Sequence, residues 1–360
     1  MANNSNSVLR TICWNINGGL KNKLVTTEFV TYICDFDLIM LTECWIGNEF
    51  MYELPGYKCF PFPRKLSSST QGGGIVIFIK DTMSKSIEVV QNYADSVIWL
   101  KTNFATGSCM YIACVYIPPA NSKFYAKYDC NIFNDLENQI SYYKNIGKVA
   151  IVGDFNARTA DRNDYIESDS TSEVVSNCDL FTYIPDAIMP DRTNLDPVVN
   201  EYGLKLISMC KSSGLRIQNG RWEKTHDFTF AGSRGRSVVD YLISQEGVLI
   251  EEFRIADFTT FSDHTPLEFS LRINHTTESG NQHRIQENFT AVRRFRWDDS
   301  QRDLARESLI VNLDKLRHCV PNTNDNSANS MNAYVHDFSL CLTDMMYPFL
   351  KIIAMVWILD

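Results

Sequence analysis

Several short apolar runs of this 360-residue chain end in polar residues for which a hydrophobic core has no use. Glu43 follows the run LIMLT, Asp154 and Asn156 follow VAIVG, and His264 closes the triplet SDH. Four more polar residues lie at the end of an apolar run, inside one or just before one, namely Asn15, Tyr116, Asp240 and Asp263. Because strand ends meet variable loops above a rigid sheet, functional sites are commonly assembled there.

These residue types suit a particular chemistry. Carboxylates with an amide and one imidazole form an oxygen-rich set, which fits Mg²⁺ or Mn²⁺ and does not fit zinc. A histidine beside carboxylates can carry charge or move a proton near neutral pH. Attack on a phosphodiester needs a metal to neutralise phosphate charge, a carboxylate to deprotonate water, and donors for the developing oxyanion.

Each residue also has a plain structural interpretation. Asn15 and Glu43 could be turn or cap residues, since these types are common at strand ends. The run GDFN around Asp154 could be a tight turn that closes a buried strand, and Tyr116 could be an aromatic residue of the core or of a sheet edge. A buried Asp240 would be costly unless it were paired, which favours a partner for it.

The elements that must position these residues are predicted from apolar periodicity between Val8 and Ile273. Many of the runs are continuous rather than alternating, which indicates strands covered on both faces. The predicted strands are Leu9–Trp14, Leu38–Leu41, Gly74–Ile79, Val97–Lys101, Met110–Tyr116, Val149–Val152, Leu215–Gln218, Phe228–Phe230, Val238–Ile243 and Leu267–Leu271. Helical spacing covers Leu24–Cys34, Ser122–Tyr143 and Tyr202–Ser212. This pattern predicts an α/β (α+β) fold with two packed sheets flanked by helices.

The texture of the sequence changes after residue 273. Residues 274–292 are polar and are predicted to be a linker. Residues 293–360 show helical periodicity followed by an Asn-rich stretch and an apolar segment, and we expect a helical tail that is the truncated start of a following region.

Composition excludes several classes of protein. Apolar residues make up 44% of the chain and charged residues 21%, which is typical of a folded globular protein. No signal peptide is recognisable, and the longest apolar stretch, Phe349–Leu359, is too short to span a bilayer, so no membrane partner is expected. Eleven cysteines without a CxxC pair favour a reducing, intracellular location over disulfides or a zinc site.

The charge of the chain is a weak argument against a nucleic-acid partner. The formal net charge is −9, but ten acidic and only two basic residues lie within positions 159–201. Charge at this density is usual for a solvated loop; metal capture or partner choice is the alternative.

Seven motifs in order resemble the endonuclease/exonuclease/phosphatase superfamily. They are NINGG, LTECW, the Gly72–Gly74 run before IVIFI, VYIPP, IVGDFNAR, SVVDYLI and SDHTPLEF. Within that superfamily the chain is most similar to the endonuclease domain of non-LTR (LINE-type) retrotransposons, because a long insert follows GDFNAR and is followed by GLRIQNGR and DFTF. The resemblance covers about residues 8–273 and implies a four-layer sandwich of two mixed sheets flanked by helices.

The resemblance also implies roles for individual residues. Glu43, Asn15 and Asp263 would hold Mg²⁺, with Mn²⁺ as a possible substitute. The implied catalytic residues are Asp154 for the attacking water, His264 oriented by Asp240, and Asn156 and Tyr116 at the phosphate. Contacts to the DNA backbone would come from Thr229, Arg234 and Arg236; an ordinary strand threonine and a solvated loop are the alternatives for these three.

The implied function is that of a DNA endonuclease that nicks one strand and leaves a 3′-hydroxyl, which in the family primes reverse transcription. Its place would be the nucleus if it acts on chromosomal DNA, and the sequence leaves the oligomeric state open. Two alternatives remain: a phosphatase or RNA-directed nuclease on the same fold, and a catalytically idle relic that acts as a binding protein. The acidic insert, which weakens attraction to DNA, and the absence of a reverse-transcriptase motif are departures from the family pattern.

Overall fold

Two mixed β-sheets of six strands each lie at the centre of the first of two units, Met1–Ser279 and Gly280–Asp360. The structure is a computed structural model. It describes residues 6–47, 52–64, 72–103, 109–127, 131–166, 190–233, 235–245, 248, 250–274, 289–297, 302–318, 341, 345 and 350–359.

The elements of the first unit follow one another as alternating groups of strands and helices. The strands are β1 (Asn6–Asn15), β2 (Leu38–Thr42), β3 (Tyr57–Phe62), β4 (Ile75–Lys80), β5 (Ile87–Tyr93), β6 (Val97–Asn103), β7 (Cys109–Tyr116), β8 (Lys148–Asp154), β9 (Leu215–Ile217), β10 (Phe230–Gly232), β11 (Gly235–Ser237), β12 (Asp240–Gln245), β13 (Ile250–Ile255) and β14 (Leu267–Asn274). The α-helices are α1 (Leu20–Lys23), α2 (Thr27–Ile33), α3 (Phe124–Lys127), α4 (Ile132–Ile146) and α5 (Glu201–Ser213). Two short 3₁₀ turns cover Asp81–Met83 and Glu223–Thr225.

The strand order is β13-β14-β1-β2-β4-β3 in the first sheet and β5-β6-β7-β8-β12-β9 in the second. The pairs β1–β2 and β7–β8 are parallel, while the other pairs within the two sheets are antiparallel. Strands β10 and β11 form a separate two-stranded hairpin.

Three apolar clusters separate four layers. One cluster lies between the two sheets and includes Met40 of the first sheet and Ile112 of the second. A second packs α1 and α2 on the first sheet, with Phe29 among its residues, and a third packs α4 and α5 on the second sheet around Leu136 and Leu206. Successive side chains of a strand point to opposite faces, so strands buried on both faces show the continuous apolar runs found in the sequence. The predicted α/β sandwich of two mixed sheets flanked by helices is therefore confirmed.

The structure also contains strands that apolar periodicity did not predict, namely β3, β5, β11 and β13. Strands β3, β5 and β13 are edges of the two sheets, and each has exposed or half-buried positions along its length. The strand expected at Phe228–Phe230 begins at Phe230 instead. The helix expected at Ser122–Tyr143 is two helices, α3 and α4, and the Asn131 side chain caps the second by accepting the N–H of Asn134.

In its described residues, the second unit includes a strand pair and the helices α6 and α7. Strand β15 (Phe289–Trp297) is antiparallel to β16 (Leu350–Leu359), and α6 (Arg302–Val311) and α7 (Leu313–His318) lie between them in the chain. Helices α6 and α7 lie in the range predicted as a tail, and β15 begins inside the range predicted as a linker. The division at 274–292 stays a prediction. None of the helices in the described residues is both long and apolar enough to cross a bilayer.

Candidate active site

Strand register brings the polar strand ends together. In the second sheet, Tyr116 lies opposite Asp154 on the parallel pair β7–β8, and Asp154 lies opposite Asp240 on β12. In the first sheet, the parallel pair β1–β2 places Asn15 opposite Thr42, the residue before Glu43. The ends of the four parallel strands and the start of β12 therefore all contribute predicted site residues.

Asp154 joins the two sheets. Its side chain is buried, and it accepts hydrogen bonds from Asn15 Nδ2 (2.9 Å) and from the backbone N–H of Asn156 (2.8 Å). Asn156 has a left-handed backbone with φ of 49°, a conformation that asparagine tolerates better than most residues. Its side-chain amide donates to the carbonyl of Ile117 (2.9 Å). The Asp154 carboxylate thus closes an Asx turn at the end of β8, and the run GDFN places this buried carboxylate between the sheets.

Asp240 and His264 form a buried pair in which the imidazole Nδ1 donates to Asp240 Oδ2 at 2.8 Å. The backbone of His264 is fixed on both sides, since its carbonyl accepts the indole N–H of Trp14 (2.8 Å) and its N–H donates to Ser262 Oγ (3.1 Å). The ring lies 4.9 Å from that of Phe230, centroid to centroid. With Nδ1 occupied by Asp240, only Nε2 of the imidazole is left for a substrate.

Ligand atoms of Asp154, Asp240 and His264 all lie within 4.8 Å of one another. Burial, and after it the charge of Asp240, raises the pKa of Asp154 to about 8, although His264, Asn156 and Asn15 act to lower it. Burial acts to lower the pKa of His264, but the charge and hydrogen bond of Asp240 outweigh it and raise this pKa to about 9. The two groups therefore exchange protons in one shared range, about pH 8 to 9, which suits acid–base chemistry.

Glu43 has one donor on each carboxylate oxygen. The Tyr116 hydroxyl donates to Oε1, and the indole N–H of Trp45 donates to Oε2 at 2.9 Å. Glu43 and Trp45 both have a φ of 49°, so the turn is strained. Gly18, with φ of +75°, lies under the indole, and a Cβ there would be 2.1 Å from the ring. Burial and the neighbouring Glu43 charge raise the pKa of Tyr116 well above its ordinary value, so the phenol keeps its proton.

The remaining predicted residues have different surroundings. Asp263 Oδ1 is buried and has no hydrogen-bond partner among the described residues. Thr229 is fully buried, and its hydroxyl accepts the N–H groups of Val239 (2.9 Å) and Asp240 (3.0 Å), so it supports the start of β12. Its expected contact with DNA stays a prediction.

The two arginines expected to contact DNA belong to the stretch that forms the β10–β11 hairpin. Arg236 lies on this hairpin, with its guanidinium carbon 5.7 Å from the centroid of the Phe258 ring. Arg234 lies outside the described residues.

The donor set fits a hard divalent cation. It contains the carboxylates of Glu43 and Asp263 and the amide oxygen of Asn15, all oxygen ligands of the kind Mg²⁺ takes. The unpartnered Asp263 Oδ1 is the kind of buried acceptor that a cation would satisfy.

Sequence reasoning missed two residues that hold this site together, Trp45 and Asn200. Trp45 belongs to the motif LTECW but was assigned no role, although its N–H contacts Glu43. Asn200 precedes α5 as an N-cap and also donates to the carbonyl of Asn156 (2.9 Å). A cap signal can be read before the helical pattern of α5, but nothing in the sequence indicates the second contact.

Comparisons with known proteins identify the family of this chain. The sequence profile of the endonuclease/exonuclease/phosphatase family matches residues 12–264. A search of curated protein sequences gave no match.

Among solved structures, the AP endonuclease LMAP from Leishmania major is similar over 75% of this chain and 88% of its own, with 12% identity and a TM-score of 0.54. The endonuclease domain of TRAS1, a telomere-specific non-LTR retrotransposon, aligns over 74% of this chain and 99% of its own (15% identity, TM-score 0.45). The 3′ phosphatase NExo from Neisseria, solved with a product DNA hairpin, aligns over 73% and 99% (13% identity, TM-score 0.46). At these identities the likeness concerns the fold alone. Because the family profile covers well over half of the chain, the protein belongs to the endonuclease/exonuclease/phosphatase family.

Proposed function

We propose that this protein is a divalent-metal-dependent DNA endonuclease that nicks one strand and leaves a 3′-hydroxyl end. Membership in the family supports hydrolysis of phosphodiester bonds. The observation that carries the proposal is the buried Asp154–Asp240–His264 cluster, in which two carboxylates and an imidazole have ligand atoms within 4.8 Å of one another. In the retrotransposon form of the proposal, the hydroxyl would prime reverse transcription in the nucleus.

The side chains divide the reaction between them. Asp154, held by two N–H donors, would take the proton of the attacking water. His264 would present Nε2 to the phosphate, with its charge stabilised by Asp240. Tyr116 keeps its proton and would orient the Glu43 carboxylate at the same edge. The Asn156 amide donates to the Ile117 carbonyl (2.9 Å) and to Asp154 Oδ2 (3.4 Å), so it would bind the phosphate by giving up one of these two bonds.

Glu43, Asn15 and Asp263 are the proposed ligands of Mg²⁺, for which Mn²⁺ could substitute. When bound, the cation would neutralise phosphate charge and act as a Lewis acid. Asn15 is suitable because its Nδ2 donates to Asp154, while its Oδ1 accepts the N–H of Asn17 (3.0 Å) and no other donor within the described part of the chain, which leaves a second lone pair for the cation.

The test is nicking of supercoiled plasmid by the purified protein, with magnesium and with EDTA. We expect nicking only with the metal, and a loss of at least about 10²-fold in Asp154→Ala and in His264→Ala. Matched controls are Asp161→Ala and His226→Ala, which change exposed residues of the same types and should leave nicking intact. Nicking close to that of the wild type in either site variant would refute the assignment.

One observation favours a second candidate function. A chain with a net charge of −9 attracts a long polyanion weakly, so a small phosphoester is a reasonable alternative substrate. RNA, a polyanion like DNA, stays an alternative because the fold does not choose between the two nucleic acids. Incubation with plasmid, polyadenylate and inositol phosphates side by side separates these candidates. Preferred hydrolysis of inositol phosphates would replace the endonuclease proposal with a phosphatase, and preferred cleavage of polyadenylate would replace it with an RNA nuclease.

A further inference from the structure

Asn200 contacts the turn that carries Asp154 and Asn156, although it lies more than 40 residues further along the chain. Its Nδ2 donates to the carbonyl of Asn156 (2.9 Å), and its Oδ1 accepts the backbone N–H of Arg158 (2.9 Å). Its own N–H donates to the Arg158 carbonyl at 3.1 Å. One asparagine therefore makes three hydrogen bonds to a segment of three residues.

The same side chain caps helix α5. Asn200 Oδ1 also accepts the N–H of Gly203 at 2.7 Å, which satisfies one of the free donors at the start of the helix. The helix approaches the turn so closely that a Cβ at Gly203 would lie 1.8 Å from the Arg158 carbonyl oxygen. The turn is thus bonded to the start of a 13-residue helix, a rigid element packed on the second sheet.

This contact bears on the catalytic carboxylate through one intermediate residue. The carbonyl of Asn156 accepts the Asn200 side-chain amide, and the backbone N–H of the same residue donates to Asp154 Oδ1 at 2.8 Å. Asn156 is in the left-handed region, so its conformation depends on contacts from outside the turn. A shift of this residue would move the N–H donor of Asp154.

We propose that Asn200 is a positioning residue, which fixes the Asp154–Asn156 turn through its bond to the Asn156 carbonyl. This inference rests on the proposed function only where its test measures the rate of nicking. It adds a requirement beyond the residues at the phosphate: the C-terminal end of the acidic stretch, where Asn200 lies, takes part in the working geometry of the site.

The variant Asn200→Asp separates the two functions of this side chain. Aspartate caps helices as well as asparagine and still accepts the N–H groups of Gly203 and Arg158, but it cannot donate to the Asn156 carbonyl. The expected result is an unchanged melting temperature, a kcat for nicking lower by about 10- to 100-fold, and little change in KM. The matched control is Asn131→Asp, at the cap of α4, where the side chain accepts the N–H of Asn134; this variant should nick like the wild type.

Amide hydrogen exchange followed by NMR gives a readout that needs no activity. In Asn200→Asp the N–H of Asn156 should exchange faster, while that of Arg158 should keep its protection because its acceptor remains. Wild-type exchange at Asn156 together with wild-type kcat would overturn the inference, and so would a melting temperature that falls in step with activity. If Asn200→Asp does not fold, Asn200→Ser, which keeps a capping hydroxyl, is required to show the same loss of kcat and the same faster exchange.

The two proposals fail in different ways. A wild-type protein that cleaves none of the substrates, but whose Asn156 amide loses protection in Asn200→Asp, would refute the proposed function and support the positioning contact. Strong nicking by the wild type that Asn200→Asp leaves unchanged would support the proposed function and refute the positioning contact.

Discussion

Replacing Asp154 by asparagine should abolish nicking without weakening the fold, whereas the same replacement at Asp196 should weaken the fold. Both carboxylates are buried, but Asp154 faces another carboxylate, whereas Asp196 faces a guanidinium. Asp154 lies within 4.8 Å of the Asp240 carboxylate, while Asp196 accepts two hydrogen bonds from the Arg158 guanidinium (2.7 and 2.6 Å) and one from the Val238 N–H (3.2 Å).

The magnitudes follow from these distances. Two unit charges at that separation repel by about 3 kcal/mol at an effective dielectric constant of about 20, and Asp154→Asn removes this repulsion. The substitution also weakens the bonds from Asn15 and Asn156, which offsets part of the gain, so the free energy of unfolding should equal or exceed that of the wild type. Breaking a fully buried ion pair costs about 3 to 5 kcal/mol. Since the Arg158 side chain is 31% exposed, we expect a loss of about 2 kcal/mol for Asp196→Asn.

The assay is urea unfolding of both variants in EDTA at pH 9, above the raised pKa of Asp154 at about 8, so that both carboxylates are ionised. Nicking by Asp154→Asn in magnesium, measured in parallel, should fall by at least about 10²-fold. If Asp154→Asn lost as much unfolding free energy as Asp196→Asn, the site would not hold two buried carboxylates in repulsion, and the reasoning would be refuted.

Three further predictions concern separate contacts. Burial acts to raise the pKa of Asp164, but the Arg221 guanidinium outweighs burial and holds this pKa below its ordinary value of 3.8. The stability that the pair contributes is therefore present above pH 3.8 and is lost as the pH falls below it. Urea unfolding in acid should therefore show a drop in midpoint that Asp164→Asn abolishes, and a drop of equal size in the variant would contradict this. Tyr116→Phe removes a donor from Glu43 and should weaken Mn²⁺ binding, measured by calorimetry, by about 10-fold or more; an unchanged affinity would show that the contact does not orient a metal ligand. Arg236→Ala should lower the slope of log affinity for DNA against log salt by about 1 if this residue contacts a phosphate, and an unchanged slope would assign it to a solvated hairpin.

Apolar periodicity identified the strands at the centre of the sheets, because β1, β2, β4, β7 and β8 are covered on both faces and show continuous apolar runs. Apolar periodicity did not identify the strands β3, β5 and β13 at the edges of the sheets. Strand β5 has the sequence IEVVQNY and β13 has IEEFRI, and in both polar residues face solvent along one side. Strand β3 contains Pro61, which suits an edge strand and argues against a central one. A one-sided strand with polar residues cannot be told from a loop by its apolar content.

The residues of the candidate site likewise divide into those that the sequence predicts and those that it does not. Residues at strand ends, such as Asp154 and Asp240, were predicted because their motifs follow or interrupt apolar runs. Asn200 and Asp196 were not, because their partners in the turn after β8 lie 38 to 44 positions away and the pairing depends on how the chain returns after the insert. Asp196 also lies in the acidic stretch, whose charge density is typical of a solvated loop, yet its carboxylate is buried. The number of charges in an acidic stretch does not reveal which of its carboxylates will pair with a guanidinium.

At the base of the acidic insert, the segment that enters it and the segment that leaves it are hydrogen-bonded to each other. Thr159 and Val199 form an isolated bridge, and the Arg192 guanidinium donates to the carbonyls of Ala160 (2.8 Å) and Arg162 (2.9 Å). The Tyr165 hydroxyl donates to Asp191 at 3.5 Å. Residues 160–165 and 191–192 thus lie side by side, so an epitope, a fluorescent reporter or a sequence-specific DNA-binding module inserted between positions 166 and 190 would begin and end at a fixed pair of segments and leave the site carboxylates in place.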